Sequence, residues 1–214
     1  EACRERGIKA VAVSAGYVNE EPRREFFGKM DAANIDLKGF TQDFYKSLAV
    51  GDLQPVLDTL EYLEHETDVW YEITNLLIPG ENDSDDELEE MCAWIVEHLG
   101  RHVPVHFTAF HPDYRMDDKS RTSPATLRRA RQIALDAGLR YAYTGNVHDS
   151  KGGSTWCHEC GERLIERDWY ELGEYNLDAD GRCTSCAAEC AGLFEEAPGE
   201  WGRQREPVRL ANYR

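Results

Sequence analysis

Two short cysteine knuckles, Cys157-His158-Glu159-Cys160 and Cys183-Thr184-Ser185-Cys186, stand 22 residues apart in a chain of 214. Two residues between thiolates let the backbone turn around one tetrahedral ion, and the second knuckle completes four sulfur ligands. Four thiolates with no open position suit structural zinc rather than catalytic zinc. Gly161 follows the first knuckle, where a positive φ is often required, whereas the second has Ala187, a less comfortable residue there. Cys190 extends the second knuckle to CxxCxxxC. An iron–sulfur cluster is therefore the alternative, but it would leave Cys157 and Cys160 without a common purpose. Cys3 and Cys92 lie in helical patterns and read as core or surface thiols.

A second set of residues could do chemistry at the ends of strands. Side chains two apart on a strand share a face, so Asp36 and Lys38 form one pair and Glu72 and Thr74 another. His111 closes a later strand, and Asn146 the last. His106 and His111 differ by an odd number and point to opposite faces, which argues against a shared metal ion and gives His106 a structural role. Polar strand ends that converge in this way could line a pocket; a solvated ion pair would leave Asp36 and Lys38 with no further function.

The elements that must position these residues alternate. Strands are expected over 8–13, 33–38, 68–79, 103–111 and 140–147, each rich in β-branched or aromatic residues. Helical patterns separate them. Val56, Leu57, Leu60 and Leu63 form one apolar stripe. Ser84-Asp85-Asp86-Glu87 is a capping box before Met91, Ile95 and Leu99, with Gly100 as the stop. Ser123-Pro124 opens the last helix and Gly138 closes it. Strands alternating with capped helices predict βαβ units, a parallel sheet and an α/β fold, open or barrel-like. In a parallel sheet, chemistry gathers at the carboxyl ends of the strands. Between the knuckles the sequence alternates and reads as a hairpin, with Asp180-Gly181 as its turn.

The chain carries 41 acidic and 24 basic residues, a net charge of −17, and only six of the bases are lysine. Such a balance repels nucleic acid and anionic lipid. The nine acids and three arginines of residues 157–190 argue against a nucleic-acid-binding ribbon. Because the acids are spread along the chain, they read as a salt-adapted, hydrated surface rather than one docking face. Hydrophobic residues at 41% suffice for a core. No apolar run is long enough to cross a bilayer and no signal peptide opens the sequence, so a cytoplasmic location is expected.

Read in order, SAGYVNEEPRREF, DAANIDLKGFTQDFYKSL, LQPVLDTLEYL, YEITNLLIPGENDSDDEL, VPVHFTAFHPDYRM, YAYTGNV and the CxxC pairs resemble one family. It is the radical S-adenosylmethionine (radical SAM) enzyme of the AmmeMemoRadiSam system, itself similar to pyruvate formate-lyase activating enzymes. The resemblance implies a partial (βα)6 barrel, a [4Fe–4S] cluster, and S-adenosylmethionine reduced to a 5′-deoxyadenosyl radical that abstracts hydrogen. It also implies that Asp36 and Lys38 lie by the cofactor and an associated cation, and that His111 approaches the nucleoside. The cluster-binding CxxxCxxC of the family is absent, its ligands being expected upstream of residue 1. The family's TNGY appears as Ser14-Ala15-Gly16-Tyr17.

The expectation is therefore an α/β chain: the C-terminal βα units of a partial radical SAM barrel over residues 1–150, a CxxC–CxxC zinc ribbon over 151–196 and an irregular tail over 197–214. Asp36, Lys38, Glu72, Thr74 and His111 are the candidate cofactor-binding residues; Cys157, Cys160, Cys183 and Cys186 are the candidate ligands of Zn(II). No catalytic residue is named. The partner is an unidentified substrate or protein, with no nucleic acid and no membrane. Two other functions fit less well: a non-catalytic scaffold whose ribbon docks a partner, and a metal hydrolase, which lacks a clustered His/Asp set. A barrel without its first strands would also leave an unpaired edge at Val11 and Val13.

Overall fold

Five alternating runs become five parallel strands: β1 (Val11–Ser14), β2 (Ala32–Asp36), β3 (Trp70–Leu77), β4 (Val105–Ala109) and β5 (Ala142–Gly145). The computed structural model describes residues 2–194. Between the strands run α1 (Glu20–Phe27), a short α2 (Gln42–Phe44) continued by a π turn over Tyr45–Ala49, α3 (Gln54–Glu66), α4 (Asp85–His98) and α5 (Pro124–Asp136). The strands lie in the sheet in chain order, β1-β2-β3-β4-β5, and every neighbouring pair is parallel. Consecutive strands that are also neighbours step always in one direction, so crossovers of the common right hand put their helices on one face.

Burial follows that geometry. Ala33, Ile35, Tyr71, Ile73, Leu77, Val105 and Phe107 are buried in one core with Leu60, Leu63, Leu88, Met91, Ile95 and Leu127 of the helices. Each of the large apolar side chains contributes about 1.5–3 kcal/mol by leaving water. The alternate strand residues face the other way and stay partly open. A sheet covered on one side only, with a polar second side, is the wall of a barrel rather than a doubly wound sandwich.

Local chemistry sets the helix starts. Ser84 Oγ accepts from the Glu87 amide at 3.4 Å, and Ser123 Oγ accepts from the Thr126 amide at 3.1 Å with Pro124 as first helical residue. Gly138 ends α5 at φ +105°. The capping box before α4 is only half made, because the Glu87 carboxylate turns away to accept from the Phe40 amide at 2.6 Å.

Strand ends are shorter than the sequence suggests. β2 stops at Asp36 and β4 at Ala109, so Lys38 and His111 lie in the following loops. Val11 and Val13 are 62% and 79% exposed, and among the described residues β1 pairs with β2 alone.

A second sheet follows α6 (Ser150–Gly153): β6 (Thr155–Trp156), β7 (Arg163–Asp168) and β8 (Glu171–Tyr175), antiparallel in that order. The hairpin between the knuckles turns at Trp169-Tyr170, with Trp169 at φ +59°, not at Asp180-Gly181. Those two residues instead bend the chain into the second knuckle, the Gly181 amide donating to Asp178 O at 3.0 Å. The small sheet seats on β5: Tyr141 and Tyr143 share a buried cluster with Cys157, Leu164 and Ile165. The Tyr143 and Thr155 hydroxyls lie 3.0 Å apart, and the Tyr141 hydroxyl accepts from the Ala191 amide at 3.0 Å. The tail expected over 197–214 lies outside the described residues.

Candidate functional site

Parallel register brings the face opposite the helices into rows, with the small sheet covering its β5 end. Asp36 is opposite Thr74, Thr74 opposite His106, and His106 opposite Tyr143. One step toward the amino ends, Asn34 is opposite Glu72. Four strands thus contribute one polar row across the wall, with its carboxylate at β2 and its phenol at β5. Thr74 Oγ1 donates to Asn34 Oδ1 at 2.9 Å, fixing the two side chains against each other.

Lys38 Nζ donates to Asp36 Oδ2 at 2.7 Å, with the two side chains 40% and 32% exposed. The loop that carries Lys38 is clamped by four side chains from four other segments. Leu37 O accepts from Asn75 Nδ2 at 2.8 Å, and Lys38 O accepts from Asn82 Nδ2 at 2.6 Å. The Lys38 amide donates to the Tyr45 hydroxyl at 3.3 Å, and the Phe40 amide to Glu87 at 2.6 Å. Gly39 is required where the loop passes Phe44, since a Cβ there would come within 2.6 Å of that ring. The loop is built like a structural element, although it has no regular secondary structure of its own.

Nearer β5, His106 Nε2 lies 2.6 Å from Glu72 Oε2, and the His106 ring stacks on Tyr143 with centroids 4.9 Å apart. Burial pushes the Glu72 carboxyl up, but the hydrogen bond and charge of His106, the Trp70 indole and the charge of Arg167 outweigh it and hold it below its ordinary value. Burial pushes the Tyr143 phenol up to about 12, so it stays protonated. Arg167, on β7, brings the small sheet into this group. His106, Tyr143 and Arg167 line two adjoining cavities of about 200 and 470 Å³.

The four knuckle cysteines form the other centre. Their sulfurs all lie within 4.8 Å of one another; Cys157 and Cys186 are 3.6 Å apart, Cys160 and Cys183 3.7 Å. A tetrahedral ion with metal–sulfur bonds of about 2.3 Å needs edges of about 3.8 Å, so the set fits a single metal ion. The knuckles are built alike. Cys157 N donates to Glu162 O and Gly161 N returns to Cys157 O; Cys183 N donates to Ala188 O and Ala187 N returns to Cys183 O. Both turns need the left-handed region, Gly161 at φ +74° and Ala187 at φ +61°. Cys190 is buried beside the centre and is not one of the four converging sulfurs.

The structure thus brings Asp36, Lys38, Glu72 and Thr74 to one face and keeps them there. His111 lies apart, exposed, its Nδ1 2.8 Å from Pro112 O. Sequence reasoning passed over His106, whose alternation with Phe107 places it on the polar face. It also missed Asn75, Asn82 and Glu87, whose bonds to residues 37–40 span 38 to 47 positions of sequence.

No family model matches the chain. An uncharacterised protein of Methanocaldococcus jannaschii is 41% identical over 184 residues, 86% of this chain and 54% of that protein; the chain thus spans about half the length of the curated relative it matches. Among solved structures, a domain of a pyruvate-formate lyase-activating enzyme from Bacteroides vulgatus superposes with a TM-score of 0.59 at 22% identity, over 68% of this chain and 86% of that one. A radical SAM methyltransferase from Sphaerobacter thermophilus gives 0.53 at 20% identity, over 64% and 41%. The chain has the fold of radical SAM enzymes, with a four-cysteine metal site at its C-terminal end.

Proposed function

We propose that the chain forms the S-adenosylmethionine-side wall of a radical SAM enzyme that abstracts hydrogen from a substrate or partner protein. In enzymes of this class a reduced [4Fe–4S] cluster cleaves S-adenosylmethionine and so supplies a 5′-deoxyadenosyl radical. The observation that carries the reading is the Asp36–Lys38 pair, held at the carboxyl end of β2 on the polar side of a radical SAM wall.

The residues suit the cofactor's charged amino-acid end. Asp36 offers a carboxylate to its ammonium or to an associated cation, Lys38 an ammonium to its carboxylate, and Thr74 and Glu72 continue the polar row toward β4. The resemblance assigns the nucleoside side to His111, on the loop after β4. The clamp on residues 37–40 keeps Lys38 in place before anything binds, which lowers the ordering cost of binding. The resemblance to glycyl-radical activases makes a partner protein one candidate hydrogen donor. The described residues do not fit the radical cluster: outside the knuckle region the cysteines are Cys3, exposed, and Cys92, on the buried face of α4. Its ligands are assigned to the remainder of a longer polypeptide, and no step of radical formation to this chain. The four knuckle cysteines hold zinc, a structural ion with no open position.

The test is binding of S-adenosylmethionine to the metal-loaded chain by calorimetry, with Asp36→Asn as the variant. Losing one partner of a charge-assisted contact costs about 1.5–3 kcal/mol, roughly ten- to hundredfold in affinity. Asp43→Asn, on α2, serves as the control and should leave binding unchanged. In the longer polypeptide that carries a CxxxCxxC, the same variant should lower 5′-deoxyadenosine release at limiting cofactor. Equal binding and release by Asp36→Asn and wild type would remove the reading.

A further inference from the structure

We propose that a groove at the other end of the wall is a binding site for a phosphorylated small molecule, separate from the strand-end site. The groove, of about 590 Å³, lies among the end of α5, the segment leading into β5 and the first cysteine knuckle. Arg101, Arg131, Arg140 and Lys151 line it, with Glu159 as its one carboxylate. Glu159 Oε1 lies 3.5 Å from His158 Nε2.

Four cations on one groove stand out in a chain with a net charge of −17. Elsewhere the basic side chains are mostly paired: Arg24 with Glu66, Lys38 with Asp36, Arg129 with Asp85, Arg163 with Glu174. Among the described residues, no carboxylate lies within ion-pair distance of any of these four. Two have other partners. Arg131 Nε donates to Ala142 O at 2.8 Å, and Arg101 lies over Gly138 at the end of α5, where the helix carbonyls favour a cation. Arg140 and Lys151 have neither and are exposed. Like charges brought together without partners repel, so an anion between them gains from all four at once.

The groove is also of small-molecule size, and its walls are not wholly polar. Trp156 is held in place by its indole donating to Lys151 O at 3.0 Å, and it lines the groove with Tyr141. A flat ring beside a phosphate group matches an aromatic wall beside a cationic one. The amino end of β5 borders the groove, whereas Asp36 and Lys38 sit at the carboxyl end of β2, so the two sites do not compete.

Inorganic pyrophosphate is the probe, titrated calorimetrically into the metal-loaded chain at low salt. Wild type should bind one equivalent saturably, and Arg140→Gln/Lys151→Gln should bind at least tenfold more weakly with an unchanged thermal midpoint. Lys9→Gln, a single exposed cation elsewhere, should match wild type, and affinity should fall as salt rises. Absence of saturable binding, or equal binding by the double variant, would overturn the proposal. So would binding of a polyglutamate peptide with pyrophosphate left unbound, which would make the groove a protein-docking site.

Discussion

The side-chain amide of Asn82 donates to the carbonyl of Lys38 at 2.6 Å across 44 residues of sequence. The same amide donates to Leu76 O at 3.0 Å, while its oxygen accepts from the Ile78 amide at 2.7 Å. One buried asparagine thereby fastens the loop after β2 to the loop after β3. Removing it strands two carbonyls and an amide, and each buried polar group left alone costs about 1–3 kcal/mol. Partial rehydration softens the sum. Asn82→Ala should therefore lower stability by about 2–4 kcal/mol in urea unfolding and weaken cofactor binding through Lys38. An unfolding midpoint equal to that of wild type would show that the clamp is not needed.

The Glu72–His106 contact makes stability depend on acid. The folded chain holds the Glu72 carboxyl below its ordinary value, so the native state binds fewer protons there than the unfolded chain. The resulting stabilisation is complete above the unfolded glutamate pKa of about 4.3 and is lost as pH falls through the lower native value. Glu72→Gln lacks this contribution. Its stability gap to wild type should be widest near neutrality and close as pH falls through that window, as urea midpoints taken down the pH scale would show. A gap constant with pH would mean that the carboxylate charge is not what His106 uses.

What the sequence revealed and what it hid follow the distance over which each feature is made. The knuckles are local: cysteines two residues apart already dictate the turn, and Gly161 announced its positive φ. The Glu72–Thr74 pair follows from strand alternation alone, whereas Lys38 lies past the end of β2 and meets Asp36 from the loop. The clamp does not follow from alternation, because Asn75, Asn82 and Glu87 reach residues 37–40 from 38 to 47 positions away. A capping-box pattern hid Glu87 as well, since Ser84 and Glu87 have the right spacing whether or not the carboxylate turns back to the cap. His106 was set aside by a parity argument that presumed a strand running to His111. The strand ends at Ala109, and parity does not reach past it.

Ala187 is a testable imperfection. It occupies the left-handed region at φ +61°, where an L-residue with a Cβ is less stable than glycine by roughly 1–2 kcal/mol. The matching position in the first knuckle is Gly161, already free of that cost. Ala187→Gly should raise the thermal midpoint of the metal-loaded ribbon and slow metal loss to a competing chelator. Ala187→Val, β-branched, should do the reverse. The pair of variants moving in the same direction would show that strain at this turn does not govern the site.

Metal removal should divide the molecule. Ion binding supplies most of the folding free energy of a small thiolate ribbon, and the second sheet has only three short strands. The five-stranded sheet has its own core, with Ile35, Ile73, Phe107, Leu63 and Ile95 all at or below 1% exposure. Elemental analysis should give one zinc per chain. A strong chelator should then release amide protection across β6–β8 while β2, β3 and β4 keep theirs. β5 should loosen partially, because Tyr141 and Tyr143 lose the packing of Leu164 and Ile165. Cys183→Ser should reproduce the chelated state without chelator. Iron with inorganic sulfide and visible absorption would instead make this an iron–sulfur site and bring Cys190 in as a ligand. Loss of protection in β2–β4 as fast as in β6–β8 would mean that the ribbon is required to fold the wall.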